Sequence, residues 1–236
     1  MIRGLMYAFD RLAIDYRDLL NRQHIEEAAL RQFFRKDGAL IQITTPVPYQ
    51  ITDESPLEPY GEALAVKETK NASLPDLSPL NCLAYLYDKN IYVNSNSFSI
   101  ERTKSILPMQ SVHTCFEFDN SLTEKYVNNY PGRSLILAFG QCLAQARLKF
   151  GNDVSGVLPE PITIHFVNTN GRKFHFSVFQ LNTLDLEGET KNIFWHDPEI
   201  KDLYETCAYI NAVPTLEGYD HDVFRTLLAM YLQNAV

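Results

Sequence analysis

Apolar residues between Leu5 and Arg35 recur at helical spacing, first as Leu12, Tyr16, Leu19 and Leu20, then as Ala29, Leu30, Phe33 and Phe34, with no Gly or Pro between them. That pattern predicts one long amphipathic helix or two short ones broken near Asn21. Asp37-Gly38 ends it, and Ala39 to Thr45, with Leu40, Ile41 and Ile43 apolar, reads as a strand. Six of the chain's 12 prolines (Pro46, Pro48, Pro56, Pro59, Pro75 and Pro79) then fall in residues 46–80 and predict an extended surface connection. Leu83 to Val93 alternates around Tyr85, Tyr87, Ile91 and Tyr92 and reads as a hairpin turning at Asp88-Lys89-Asn90.

The C-terminal half is more regular. A helix over about 133–150 carries one apolar stripe, Leu135, Phe139, Cys142, Leu143, Ala146 and Phe150, and Gly151 suits its C-terminal cap. Within it, Gly140 and Ala144 allow close approach either of a partner's backbone or of this chain's own sheet. A hairpin over about 161–182 is signalled by Asn170-Gly171 between two β-rich runs. Asp185 to Lys191 reads as a loop. Pro198 suits the first turn of a helix over Glu199 to Tyr209, and Asp220 suits the N-cap of a last helix bearing Val223, Phe224, Leu227, Leu228 and Tyr231. The expected class is α+β, with a mixed or antiparallel sheet, a central amphipathic helix and helices at both termini. The expected organisation is an arginine-rich helical segment, 1–37, followed by an α+β domain, 38–236, with the proline-rich surface connection at about 46–80.

Composition agrees with a folded chain: of 236 residues, 45% are apolar and 12% aromatic. No apolar run approaches the roughly 18 residues of a membrane span, and the start lacks the features of a secretory signal. A net charge of −8 argues against gripping a bare duplex over the whole surface. The charge is uneven, however. Six of the 11 arginines lie in the first 35 residues. Arg3, Arg11, Arg17, Arg22, Arg31, Arg35 and Lys36 are therefore the candidate RNA- or partner-contact residues, the alternative being a solvated helix laced with ion pairs.

Catalytic chemistry is hard to find. No phosphate-binding glycine motif and no nucleophile elbow is present. Cys82, Cys115, Cys142 and Cys207 form no C-x-x-C and read as buried thiols in a reducing compartment. If Asn170-Gly171 were the centre of a two-residue turn, His165 would face Phe176 and His175 would face Phe166, placing the two imidazoles on opposite sheet faces; a register shifted by one would unite them. Adjacent Asp220-His221-Asp222 diverge on a helix and read as a capping cluster. If Thr114 to Asp119 is a strand, Glu117 and Asp119, two apart, share a face, and with His113 as a helper they are the residues on which a metal-dependent, nuclease-like hydrolase would rest. No catalytic residue, metal ligand or cofactor is assigned.

Two stretches have a recognisable wording. One runs Leu137-Ala138-Phe139-Gly140, Leu143-Ala144-Gln145-Ala146-Arg147-Leu148 and Gly151-Asn152-Asp153. The other runs Gly171-Arg172, Phe174-His175-Phe176 and Val178-Phe179-Gln180-Leu181-Asn182-Thr183 with Asp185. Together they resemble the C-terminal half of the mitochondrial ribosomal protein family that joins protein thirty-seven of the large subunit to the paralogue once catalogued as small-subunit protein thirty. Pro79-Leu80 to Tyr92-Val93-Asn94 and Phe224 to Leu232 resemble it more loosely, and residues 46–75 and 205–220 do not. The resemblance implies a non-catalytic structural component of the large subunit, in the mitochondrial matrix, contacting rRNA and ribosomal proteins including a homologous paralogue, with no cofactor or small-molecule substrate. Asp10, Asp15 and Asp18 make residues 1–22 a poor import signal. A protein-interaction module outside the ribosome is the further alternative.

Overall fold

The computed structural model describes residues 2–16, 19, 21–73, 83–86, 111–118 and 130–234. A first helix, α1 (Ile2–Leu12), precedes two long strands, β1 (Gln23–Lys36) and β2 (Ala39–Asp53). A short helix α2 (Ala63–Glu68), β3 (Leu83–Leu86) and β4 (Ser111–Phe118) follow, then the long helix α3 (Tyr130–Phe150). The remainder is β5 (Val157–Thr169), β6 (Lys173–Thr183), β7 (Ile193–His196), β8 (Lys201–Asp202), β9 (Thr206–Ile210), β10 (Val213–Glu217) and α4 (His221–Leu232). Among the described residues no helix is long and apolar enough to cross a membrane.

Residues 23–36 are a strand, which corrects the helix expected there. Asp37 and Gly38 have φ of +49° and +73° and connect Lys36 directly to its partner Ala39. Such a two-residue turn matches the right-handed twist of a hairpin. The pairing then runs from Lys36↔Ala39 to Gln23↔Thr52. Ala28, Leu30 and Gln32 are buried in alternation, so the segment carries a period of two alongside the helical one, with Ala29 and Phe33 on one strand face and Leu30 and Phe34 on the other. Pairing with β2 decided between them.

Residues 46–53 are likewise β2 and not a surface connection. The turn directs the N–H groups of even-numbered β2 residues away from β1. Pro46 and Pro48 lie between the stretch paired with β3, 40–43, and that paired with β4, 49–53, where among the described residues no second strand needs their missing donors. Opposite Pro48, Glu27 has φ +54° and the β1–β2 pairing skips one pair. The ribbon changes face there: Val47 joins one core and Tyr49 the other.

The sheet order is β1-β2-β4-β5-β6-β7, with β3 also beside β2 and β8 beside β6. Only the β4–β5 pair among these is parallel, and α3 makes the crossover between them. The class is α+β with a mixed sheet and helices at both ends, as expected. On one face, α3 packs on Ile162, Ile164, Phe166, Phe179 and Leu181, and on Leu30 and Ile43 of the β1–β2 ribbon. The Phe139 ring lies between Phe34 of β1 and Phe179 of β6, at 5.0 and 6.4 Å. Sheet strands thus reach α3 from two directions, and every residue from Leu137 to Ala146 is buried, more than the single stripe in the sequence implied. Gly140 is the point of closest approach: a Cβ there would stand 3.0 Å from Leu30 Cδ2 and 3.2 Å from Ile43. Its small size therefore serves packing within the chain. On the other face, Ile2, Met6 and Phe9 of α1 and Val223, Leu227 and Tyr231 of α4 cover Tyr49, Ile51, Phe116, Val167, Phe174 and Phe176.

The helix expected over Glu199 to Tyr209 is absent. Lys201–Asp202 pair with β6, and Thr206–Ile210 form a hairpin with Val213–Glu217. Asn211 and Ala212, with φ of +52° and +65°, supply its two-residue turn. Of the hairpin expected over Leu83 to Val93, β3 pairs with β2, and the turn at 88–90 lies outside the described residues.

Candidate functional site

The seven candidate contact residues separate into two groups. Arg3 and Arg11 are exposed on α1, four residues either side of exposed Tyr7, and so lie in one stripe. Arg3 donates to the Tyr7 hydroxyl at 3.2 Å and pairs with Glu26 of β1 at 3.3 Å. Arg31 and Arg35 sit on the β1 face turned away from α3, half-buried and exposed respectively. Lys36, at the turn, pairs with Asp37 at 2.8 Å and holds that carboxyl below its usual range. Arg17 lies outside the described residues.

Arg22 is a correction. Its side chain is inside the protein: Nε donates to Asp53 Oδ2 at 2.7 Å, Nη1 to the Tyr231 carbonyl and Nη2 to the Gln233 carbonyl at 2.6 Å. It ties the chain before β1 to the end of α4. Tyr231 completes the tie from the other side, donating to Asp10 Oδ1 of α1 at 2.5 Å.

Beside this tie lies a buried histidine pair. The β2–β4 register shifts between Ile51 and Thr52. This bulge at His113 turns its side chain toward the face of His165, which pairs in parallel with Thr114. The rings stand 5.2 Å apart at 90°, with the Thr114 hydroxyl 2.8 Å from His113 Nδ1 and 3.5 Å from His165 Nδ1. His113 Nε2 approaches the Gln233 carbonyl at 3.3 Å. Burial pushes the His113 pKa well below its ordinary value and that of His165 down to about 4. Both are neutral near pH 7, too weakly basic to exchange protons there as general bases.

The β5–β6 register differs from the expected one by two residues: His165 faces Val178 and His175 faces Asn168. The cause is the Asn170 side chain, whose Oδ1 accepts the N–H groups of Arg172 at 3.0 Å and Lys173 at 2.8 Å. A shift of two preserves side-chain parity, so the two imidazoles still lie on opposite faces. His175 is instead near His196, with ring centroids 5.7 Å apart. Among the described residues no three His, Cys, Asp or Glu side chains are grouped to hold a metal.

Glu117 is half of the paired-carboxylate idea, and Asp119 lies outside the described residues. The Glu117 carboxylate is bound by Arg133, from Nε at 2.9 Å and from Nη2. An ion pair at the start of α3 is thus the local arrangement. Sequence reasoning looked for a nearby cation and missed one brought by the crossover. Arg147 was missed for the same reason: it reaches from α3 to β1, donating to Gln32 Oε1 at 2.8 Å and the Phe33 carbonyl at 2.7 Å. Cys115 and Cys142 are buried, and burial raises both thiols; Cys207 is exposed, contrary to expectation.

A family model described as mitochondrial 28S ribosomal protein S30 (PDCD9) matches residues 124–235, the segment from just before α3 through α4. Over 234 residues the chain is 31% identical to the large ribosomal subunit protein mL37 of Bos taurus, covering 92% of this chain and 53% of that protein. The chain is similar to mL37 along most of its length. With mL37 of Gallus gallus it shares 27% identity over 251 residues, covering 100% of this chain and 57% of the other. With mL37 of Rattus norvegicus it shares 25% over 236 residues, covering 94% and 55%. It spans about half the length of the curated mL37 relatives it matches. The resemblance first legible in α3 and the β5–β6 hairpin therefore extends along nearly the whole chain.

Proposed function

We propose that this chain is a structural component of the large mitochondrial ribosomal subunit, without chemistry of its own, and supports mitochondrial translation from the matrix. The observation that carries this reading is the likeness to mL37 over 92–100% of the chain. The side chains that could have suggested an enzyme fit the reading as well. The histidine pair is buried and neutral, and the Glu117 carboxylate is bound to Arg133. The stripe of Arg3, Tyr7 and Arg11 on α1, with Arg31, Arg35 and Lys36 on the β1–β2 ribbon, is the face for rRNA phosphates and neighbouring ribosomal proteins, a homologous paralogue among them.

The test is sedimentation of the tagged natural protein from detergent-lysed mitochondria. The expected result is a peak with the large subunit and the intact ribosome that collapses on RNase treatment. A protein found only at the top of the gradient overturns the assignment. An Arg3→Glu, Arg11→Glu double variant should lose several-fold of its subunit-bound fraction while its thermal midpoint stays unchanged. If it sediments like the wild type, the contact face lies elsewhere.

A further inference from the structure

The β9–β10 hairpin is built differently from the sheet described above. Its register places Cys207, Tyr209, Pro214 and Leu216 on one face and Ala208, Ile210 and Val213 with Thr206, Thr215 and Glu217 on the other. Tyr209 is 78% exposed, Val213 59%, Ile210 48% and Leu216 44%. Among the described residues, none of the hairpin's side chains joins either buried core. A two-stranded ribbon with both faces in water is marginal by itself.

What holds it is its root. Glu205 N–H donates to the Glu217 carbonyl at 2.9 Å, the Thr206 hydroxyl to Glu217 Oε2 at 3.0 Å, and Asp220 N–H to the carbonyl of buried Leu203 at 2.8 Å. Gly218, at φ +62°, lets the Glu205 side chain lie where a Cβ would stand 2.4 Å from it. An apolar tip is thus held out on a hydrogen-bonded root.

Charge identifies the class of surface that covers it. No Lys or Arg occurs between Lys201 and Arg225, whereas Glu205 and Glu217 stand at the root; beyond them Asp220 caps α4 and Asp222 pairs with Arg225 at 3.0 Å. Nothing on the hairpin can neutralise a phosphate, so a nucleic acid is disfavoured. A protein groove with an apolar floor and a basic rim complements both the tip and the root. We propose that the β9–β10 hairpin is a docking arm that inserts into such a groove on a neighbouring protein. The inference rests on the ribosomal reading only for where that neighbour is found.

Photo-cross-linking of the natural full-length protein in living cells tests it, with p-benzoylphenylalanine replacing Tyr209. The expected product is a cross-link to one protein, at an apolar segment flanked by Lys or Arg. It should fall at least tenfold when Leu216→Asp is added, with the thermal midpoint of the Leu216→Asp protein unchanged. A cross-link to RNA, a cross-link to a protein surface of other chemistry, no cross-link, or one indifferent to Leu216→Asp overturns the proposal. Sedimentation of the same lysate separates the two readings. An adduct of the expected chemistry found away from ribosomal fractions upholds the arm and overturns the ribosomal assignment.

Discussion

The β5–β6 and β9–β10 hairpins share a local design and differ in almost everything else. Both turn through residues of positive φ, Gly171 in one and Asn211-Ala212 in the other. Yet from Phe174 to Thr183 every residue of β6 is buried, while every residue of β9 is exposed. β6 has β5 on one edge and β7 and β8 on the other, with α3 below and α1 and α4 above. β9 has β10 alone. Turn chemistry specifies that a hairpin forms; its neighbours decide whether it is scaffold or presents its side chains outward.

The largest effect should come from removing an aromatic ring in the buried hairpin. Phe179→Ala, which empties the space against Phe139, should lower the unfolding free energy by about 3–5 kcal/mol in urea titration. A loss below about 1 kcal/mol would show that β6 is less tightly packed than its burial implies. Next comes acid. Well above pH 6.5 the buried histidines are neutral whether folded or unfolded. As pH falls from there, the unfolded chain takes up protons that the buried rings refuse, so stability falls. For His165 the fall continues to about pH 4 and should reach about 3 kcal/mol. His165→Gln should flatten the pH dependence of stability in that interval; an unchanged slope would mean that other groups carry it.

Asp220 stands where the exposed hairpin meets α4, and its Oδ1 accepts the N–H of Asp222 at 2.7 Å and of Val223 at 3.4 Å. Asp220→Ala should cost about 1 kcal/mol. No measurable cost would mean that the root hydrogen bonds suffice to hold α4. The smallest effect should be that of Tyr209→Ala, within about 0.5 kcal/mol of the wild type. A loss as large as that of Phe179→Ala would abolish the contrast between the two hairpins.

Legibility in the sequence followed the range of the interactions involved. The α3 helix, its Gly151 cap, the β5–β6 hairpin and the Asp220 cap rest on contacts between residues close in sequence, and all were readable. β1 was misread because the helical spacing of Ala29, Leu30, Phe33 and Phe34 masks the period of two at Ala28, Leu30 and Gln32, and the deciding partner ends as far away as Thr52. The segment 199–209 was misread because Pro198 permits a helix without requiring one. The candidate surface was partly legible: Arg3 and Arg11 are on the outside. Arg22 was misassigned, because no local pattern distinguishes an arginine bonded to Asp53 and the end of α4 from one facing solvent.

By itself the sequence determined the class, the central helix, the caps and the wording shared with mitochondrial ribosomal proteins. These depend on propensity, spacing and residue identity, which are properties of short segments. Only the tertiary structure decided which face each strand buries, that Arg22 and Glu117 are internally paired, that two distant histidines become neutral neighbours and that one hairpin stands in solvent. Each of those depends on dehydration and pairing between residues far apart in the chain, and no short segment encodes its own degree of burial.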